Sequence, residues 1–332
     1  MAARSVQTMT FLATGRAARP ALPFTSWRRI GFAVSIVLAL LTFGTLAVQG
    51  LNLGLDFTGG VSIEAALGRP ADAAALADLR GRLSAEGVGA AEAQAVDDGA
   101  SVLIRLGVDP AAGTSAGAAA ADAVERALGP SAEIRSREVV GPKVSGELLR
   151  SGALASLLAV LGIAIYVWLR FEARYGFAAF LTTLHDVVMT VGLYAVTRLS
   201  FDLTSVAALL AIAGYSINDT VVVFDRIRET IGLRGVEALP AVIDRAVTDT
   251  LRRTLMTSGT TLAATISLMI FGGPVLFGFA AAVTFGIVIG TLSSIFVAAP
   301  LLLHLPGAIS APKASADEQA KNLVEADGTF RP

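Results

Sequence analysis

The sequence predicts an all-α membrane bundle of six helices with a small α+β domain inserted after the first, and three observations predict it. Hydrophobic residues make up 54% of the 332, charged residues only 16%, and the mean hydropathy is +0.67. That balance excludes an ordinary soluble domain. Six apolar segments (30–48, 154–169, 177–196, 203–224, 255–271 and 279–303) reach or nearly reach the ~20 residues a helix needs to cross ~30 Å of hydrocarbon. Between the first two lie about a hundred residues, alanine-rich but charged, which read as a water-exposed domain.

The first segment comes after Arg4, Arg16, Arg19, Arg28 and Arg29. It is too long for a signal-peptide core and lacks a small-x-small cleavage site, so it reads as an uncleaved anchor. In the domain after it, 61–66 alternates like a strand and 72–86 has helical spacing. Residues 92–96 and 102–106 flank an Asp98-Gly99 turn, 118–128 is helical and 133–139 alternates again. Strand, helix, strand, strand, helix, strand closes as a ferredoxin-like split βαβ sandwich, two helices covering one face of a four-stranded sheet. This superfold names no function. The domain holds no His or Cys and no obvious carboxylate pair, so no catalytic site is expected there. The stretch 111–121 reads as loop and helix, and the tail from Ser310 as a polar disordered segment. The expected division is a segment 1–29, a helix 30–48, an outer domain 49–147, five helices over 148–305 and a tail 306–332.

Arginine sets the orientation. Arg170 and Arg174 come after the second segment, and Arg226, Arg228, Arg234, Arg245 and Arg252 surround the loop after the fourth. The opposite connections hold only Arg198, and 272–278 holds no basic residue. Both termini are therefore expected on the cytoplasmic side. The absence of cysteine means that no disulfide holds the outer domain, and a net charge of −1 leaves no footprint for nucleic acid.

Asp219 is the only charge in the apolar run 203–224. A carboxylate there costs ~2.5–3.5 kcal/mol on insertion scales, so such groups face a protein interior or water and mark ion paths. Tyr215 and Ser216 precede it on the same helix face and Asn218 adjoins it. Desolvation favours the neutral carboxyl and a nearby cation the charged one; a group held between those pulls can load and release a proton. Arg253, opening the fifth segment, is the candidate cation, and Thr257, Thr260 and Thr261 recur behind it at helical spacing. A snorkelling boundary anchor is an equal reading of Arg253. In the third segment His185 and Asp186 sit near the centre, either on the proton path or bonded to hydroxyls of a neighbouring helix. No HExxH or paired cysteine accompanies them, so no metal site is expected. Gly286 and Gly290 match the small-xxx-small packing pattern.

Six stretches carry a resemblance: LGLDFTGGVSIE (53–64), VVGPKVSGELLRSG (139–152), LHDVV (184–188), GYSINDTVVVFDRIRE (214–229), RTLMTSGTT (253–261) and FGGPVLFGF (271–279). They resemble the signatures of the SecF branch of the SecD/SecF translocation accessory family, in the RND superfamily, over about 27–305. The resemblance implies six spans with a ferredoxin-like outer domain, an RND-type half. It implies proton-relay roles for Asp219 and Arg253, and a turn at Gly59 and Gly60 that Asp56 caps or tethers. It implies a transport component without enzymatic activity or cofactor, in the bacterial inner membrane, driven by the proton-motive force or by Na⁺. Its implied partners are SecD, the SecYEG channel, YajC and YidC, unfolded preprotein and membrane lipid. A proton-coupled small-solute exporter of RND type and a passive scaffold of the translocon are the rival expectations.

Overall fold

The computed structural model describes residues 21–96, 99–108, 114–234 and 238–305. The expected leading segment up to residue 20, the Asp98 half of the outer turn, residues 111–113 and the tail from 306 lie outside the described residues. Helix α1 (Arg28–Gln49) leads to a short helix α2 (Leu55–Thr58). The outer domain comes next as β1 (Gly60–Ala66), α3 (Ala73–Ala85), β2 (Glu92–Val96), β3 (Ser101–Leu106), α4 (Thr114–Leu128) and β4 (Glu133–Val140). The remaining membrane helices are α5 (Pro142–Arg170), α6 (Ala173–Thr197), α7 (Leu203–Arg234), α8 (Leu239–Phe271) and α9 (Gly273–Ser293). A π-helical turn (Ser294–Ala298) and a last turn, α10 (Ala299–Leu301), complete the sixth crossing. Among the described residues six helices are long and apolar enough to cross a membrane.

The outer sheet has the order β2-β3-β1-β4, antiparallel throughout, with Ile63 opposite Ile104 and Val61 opposite Val139. This is the ferredoxin-like closure. Alternation sends Val61, Ile63 and Ala65 of β1 and Val102 and Ile104 of β3 to one face, where Leu79 and Leu83 of α3 and Val124 of α4 seal them from water. Asp72 starts α3 by accepting a hydrogen bond from the Ala75 amide at 2.8 Å.

Three helices are longer than hydropathy suggests. α5 begins at Pro142, directly after β4, α7 continues to Arg234, and α8 begins at Leu239. Hydropathy reports only the part of a helix that meets lipid, whereas intrahelical hydrogen bonds carry the helix on into water. The sixth apolar run differs in another way, because the π-helical turn interrupts it.

The outer domain is joined to the bundle through the segment between α1 and β1. Leu53 bridges Phe201, and the Gly54 amide donates to the Phe201 carbonyl at 2.7 Å. Asp56 Oδ2 accepts the amide of Leu203, the first residue of α7, at 2.9 Å. Gly60, with φ +138, runs so close to β3 that an added Cβ would collide with the Leu106 carbonyl oxygen. No side chain fits there. On β3, Arg105 Nη1 reaches Ser200 Oγ at 2.8 Å, a second tie to the α6–α7 connection.

Candidate functional site

The bundle has two apolar cores with a polar layer between them. The one farther from the outer domain holds Tyr175 and Ala179 of α6, Phe224 and Ile227 of α7, Ile243 and Ala246 of α8, and Ile295 of the π turn. The nearer one holds Tyr194 of α6, Ala208 of α7, and Ala282 and Ile287 of α9. Along each of α6, α7 and α9 the residues between these cores are Asp186, then Ser216 and Asp219, then Thr291 and Ser293. All five are buried.

Helical spacing places them there. On α6 the inward face runs through Tyr175, Ala179, Thr182 and Asp186; on α7 it runs through Ile212, Ser216, Asp219 and Val223. Glycine lets α9 approach α7. A Cβ on Gly286 would overlap the Ile212 side chain, and one on Gly290 would lie 3.3 Å from Ser216 Cβ. The spacing read as a packing pattern is a packing surface, against α7.

Asp186 is a junction. Its Oδ1 lies 2.8 Å from His185 Nδ1, and its Oδ2 accepts from Ser293 Oγ at 2.8 Å and from Ser216 Oγ. One fully buried carboxylate thus ties α6 to α7 and α9. His185 and Asp186, although about 100° apart on the helix, meet each other instead of sharing an outside partner. The His185 Nε2 is buried without a hydrogen-bond partner among the described residues.

Asp219 is different. It is 3% exposed, and its Oδ2 is shut off from solvent with no hydrogen-bond partner among the described residues. Arg253 is the charged group whose field reaches it, yet the two stand farther apart than the 4.0 Å of an ion pair. Arg253 itself lies on an exposed face of α8.

The hydroxyls behind Arg253 find their partners within their own helix. Thr257, Thr260 and Thr261 donate back to carbonyls of their own helix at 2.9–3.1 Å, as Ser and Thr do in apolar surroundings. The buried row of α8 is instead Thr250, Thr254, Ser258 and Thr265. Ser258 accepts from Tyr215 at 3.0 Å and lies 2.7 Å from Thr291 Oγ1, joining α7, α8 and α9 beside the Asp186 junction. Asn218 is exposed and takes no part. Ser258, Thr291 and Ser293 do not stand out in the sequence. Only Ser258 has a signal there, since it continues Thr250 and Thr254 at four-residue spacing, but isolated hydroxyls in apolar runs carry little weight.

A six-crossing membrane protein with a ferredoxin-like domain after its first helix, and in its fourth a buried carboxyl with one oxygen unpartnered among the described residues, defines the class. Residues 120–307 match the family described as Protein export membrane protein SecD/SecF, C-terminal, and residues 44–71 match the SecD/SecF GG motif. The protein translocase subunit SecF of Vibrio alginolyticus is 41% identical over 289 residues, 87% of this chain and 91% of that protein. That of Cereibacter sphaeroides is 43% identical over 285 residues, covering 83% and 87%. The crystal structure of SecDF, a translocon-associated membrane protein from Thermus, superposes with a TM-score of 0.76 at 33% identity. It matches 87% of this chain, which spans 39% of the SecDF chain. The chain belongs to the SecD/SecF family, as a SecF-type protein translocase subunit.

Proposed function

We propose that the chain is the ion-driven half of a protein-export accessory complex in the bacterial inner membrane, working with SecD beside the SecYEG channel. Asp219 is the ion carrier. The observation that carries this reading is its sealed carboxyl oxygen, left without a hydrogen bond in a layer where Asp186 is fully bonded. A buried charge without a partner is costly, so a proton arriving at Asp219 stabilises one arrangement of the bundle over another.

The ionised carboxylate attracts the Arg253 guanidinium and draws α7 and α8 together. The neutral acid releases it, and the arrangement with the two groups apart is favoured. Each charge moved through 100 mV contributes ~2.3 kcal/mol, enough to bias two packings of the same helices substantially. Through Asp56 and the Leu203 amide, any shift of α7 bears on the outer domain. The arginines at the ends of α5 and α7 support cytoplasmic termini, which puts the outer domain on the proton-rich side.

Vesicles containing this chain with SecD are expected to dissipate an imposed pH gradient faster than vesicles with either protein alone. Asp219→Asn removes the difference. Equal decay in all preparations leaves a passive scaffold as the function, and decay that tracks an imposed Na⁺ gradient instead makes sodium the coupling ion.

A further inference from the structure

The outward face of α8 carries a groove with a volume of about 770 Å³, lined by Leu22, Thr248, Arg252, Leu255, Met256 and Thr260 among others. Its walls are mainly apolar, with Leu255 and Met256 exposing 57% and 59% of their surface. One position in it is a cation. Arg252 is exposed and has no hydrogen bond or ion pair among the described residues. The carboxylates nearest in sequence are taken. Asp249 accepts from Arg226 Nη2 at 2.5 Å and Nε at 3.1 Å, and Asp244 accepts from the Thr25 amide and hydroxyl at 2.7 and 2.9 Å.

The groove lies where α8 changes character. Up to Arg253 the helix carries several charges; from Thr254 to Phe271 it carries none. Arg252 therefore sits at the edge of the hydrocarbon on the side away from the outer domain, and the groove runs from it into the membrane. From Arg252 to Thr260 it covers ~12 Å of helix, most of the ~15 Å depth of one leaflet. Gly259 leaves its inner part open.

We propose that this groove holds an anionic phospholipid of the surrounding leaflet, its phosphate on Arg252 and one acyl chain along Leu255, Met256 and Gly259. The guanidinium supplies paired N–H donors that fit two phosphate oxygens. A zwitterionic lipid carries its own cation next to the phosphate and gains less. The proposal is independent of the ion-coupling reading, since neither Asp219 nor Arg253 enters it.

The test is native mass spectrometry of the full chain titrated with phosphatidylglycerol or with phosphatidylcholine of the same acyl chains. Phosphatidylglycerol is expected to bind about tenfold more tightly, the worth of one charge-assisted pair. Arg252→Gln brings it down to the phosphatidylcholine level, and Arg252→Lys restores part of the preference. Met256→Trp, which fills the groove and keeps the charge, weakens both lipids and decides the matter should Arg252→Gln fail to fold. Equal binding of the two lipids overturns the proposal. So does an undiminished preference in Arg252→Gln, or a chain dimer that covers this face and excludes lipid.

Discussion

Two aspartates share the polar layer, and their surroundings are opposite. Asp186 places both oxygens in hydrogen bonds with groups from three helices, whereas Asp219, three residues past Ser216 on α7, leaves one oxygen with none. Burial is common to both. Full bonding makes the first a fastening that holds α6, α7 and α9 together. Deprivation makes the second a group whose state the rest of the bundle can feel.

Substituting each by its amide exposes the contrast most sharply. Asp219→Asn should reduce gradient-dependent secretion, in cells lacking their own copy, to the level of an empty vector. Its thermal melting should hold or rise, because the neutral side chain avoids the ~2.5–3.5 kcal/mol insertion cost of a carboxylate. Asp186→Asn should do the reverse, losing ~1–3 kcal/mol in equilibrium unfolding because the amide has one acceptor oxygen for the partners that now share two, with transport per folded molecule retained. If instead Asp186→Asn abolishes transport at full stability, the two carboxylates belong to one path and the distinction fails.

An effect on stability of similar size, with no transport role expected, refines the boundary between them. Gly286→Ala drives a methyl against Ile212 and should cost ~1–3 kcal/mol, with Ile212→Val recovering only part of it in the same unfolding assay, because Cγ1 and Cγ2 still crowd the new methyl. Smallest of all is Thr261→Val. Its hydroxyl is satisfied by the Thr257 carbonyl at 2.9 Å, so a change under ~0.5 kcal/mol and unaltered secretion are expected. A transport defect in this variant would restore the threonine face of α8 to the site.

How much of this was legible in sequence depended on the range of the interaction. The outer domain was readable strand by strand, because the alternation that marks a strand such as β1 acts within a few residues. Asp219 stood out for the same reason, as a charge within an apolar run. The partners of Asp186 were not readable, since Ser216 and Ser293 lie 30 and 107 residues away and only the packing of α6, α7 and α9 brings them in. Thr257, Thr260 and Thr261 were readable as a helical row, but spacing does not show that each hydroxyl turns back to a carbonyl of its own helix. The π-helical turn at Ser294–Ala298 has no local signature in this run of Ile, Phe, Val and Ala.

The way α7 is held has a mechanical consequence. Asp56 grips it at Leu203 and Asp186 grips it at Ser216, thirteen residues on, while Asp219 lies only three residues beyond the second grip. With Ser216 as fulcrum the arms are ~20 Å and ~4.5 Å at the helical rise. α7 is then a lever of roughly fourfold ratio, in which a sideways step of ~1 Å at the carboxyl becomes ~4 Å where the rod meets the glycine turn. Spin labels on Thr204 and Gln94 should change their separation with protonation, and a constant separation would leave the rod without leverage. The charge needs to travel very little for the far end to push.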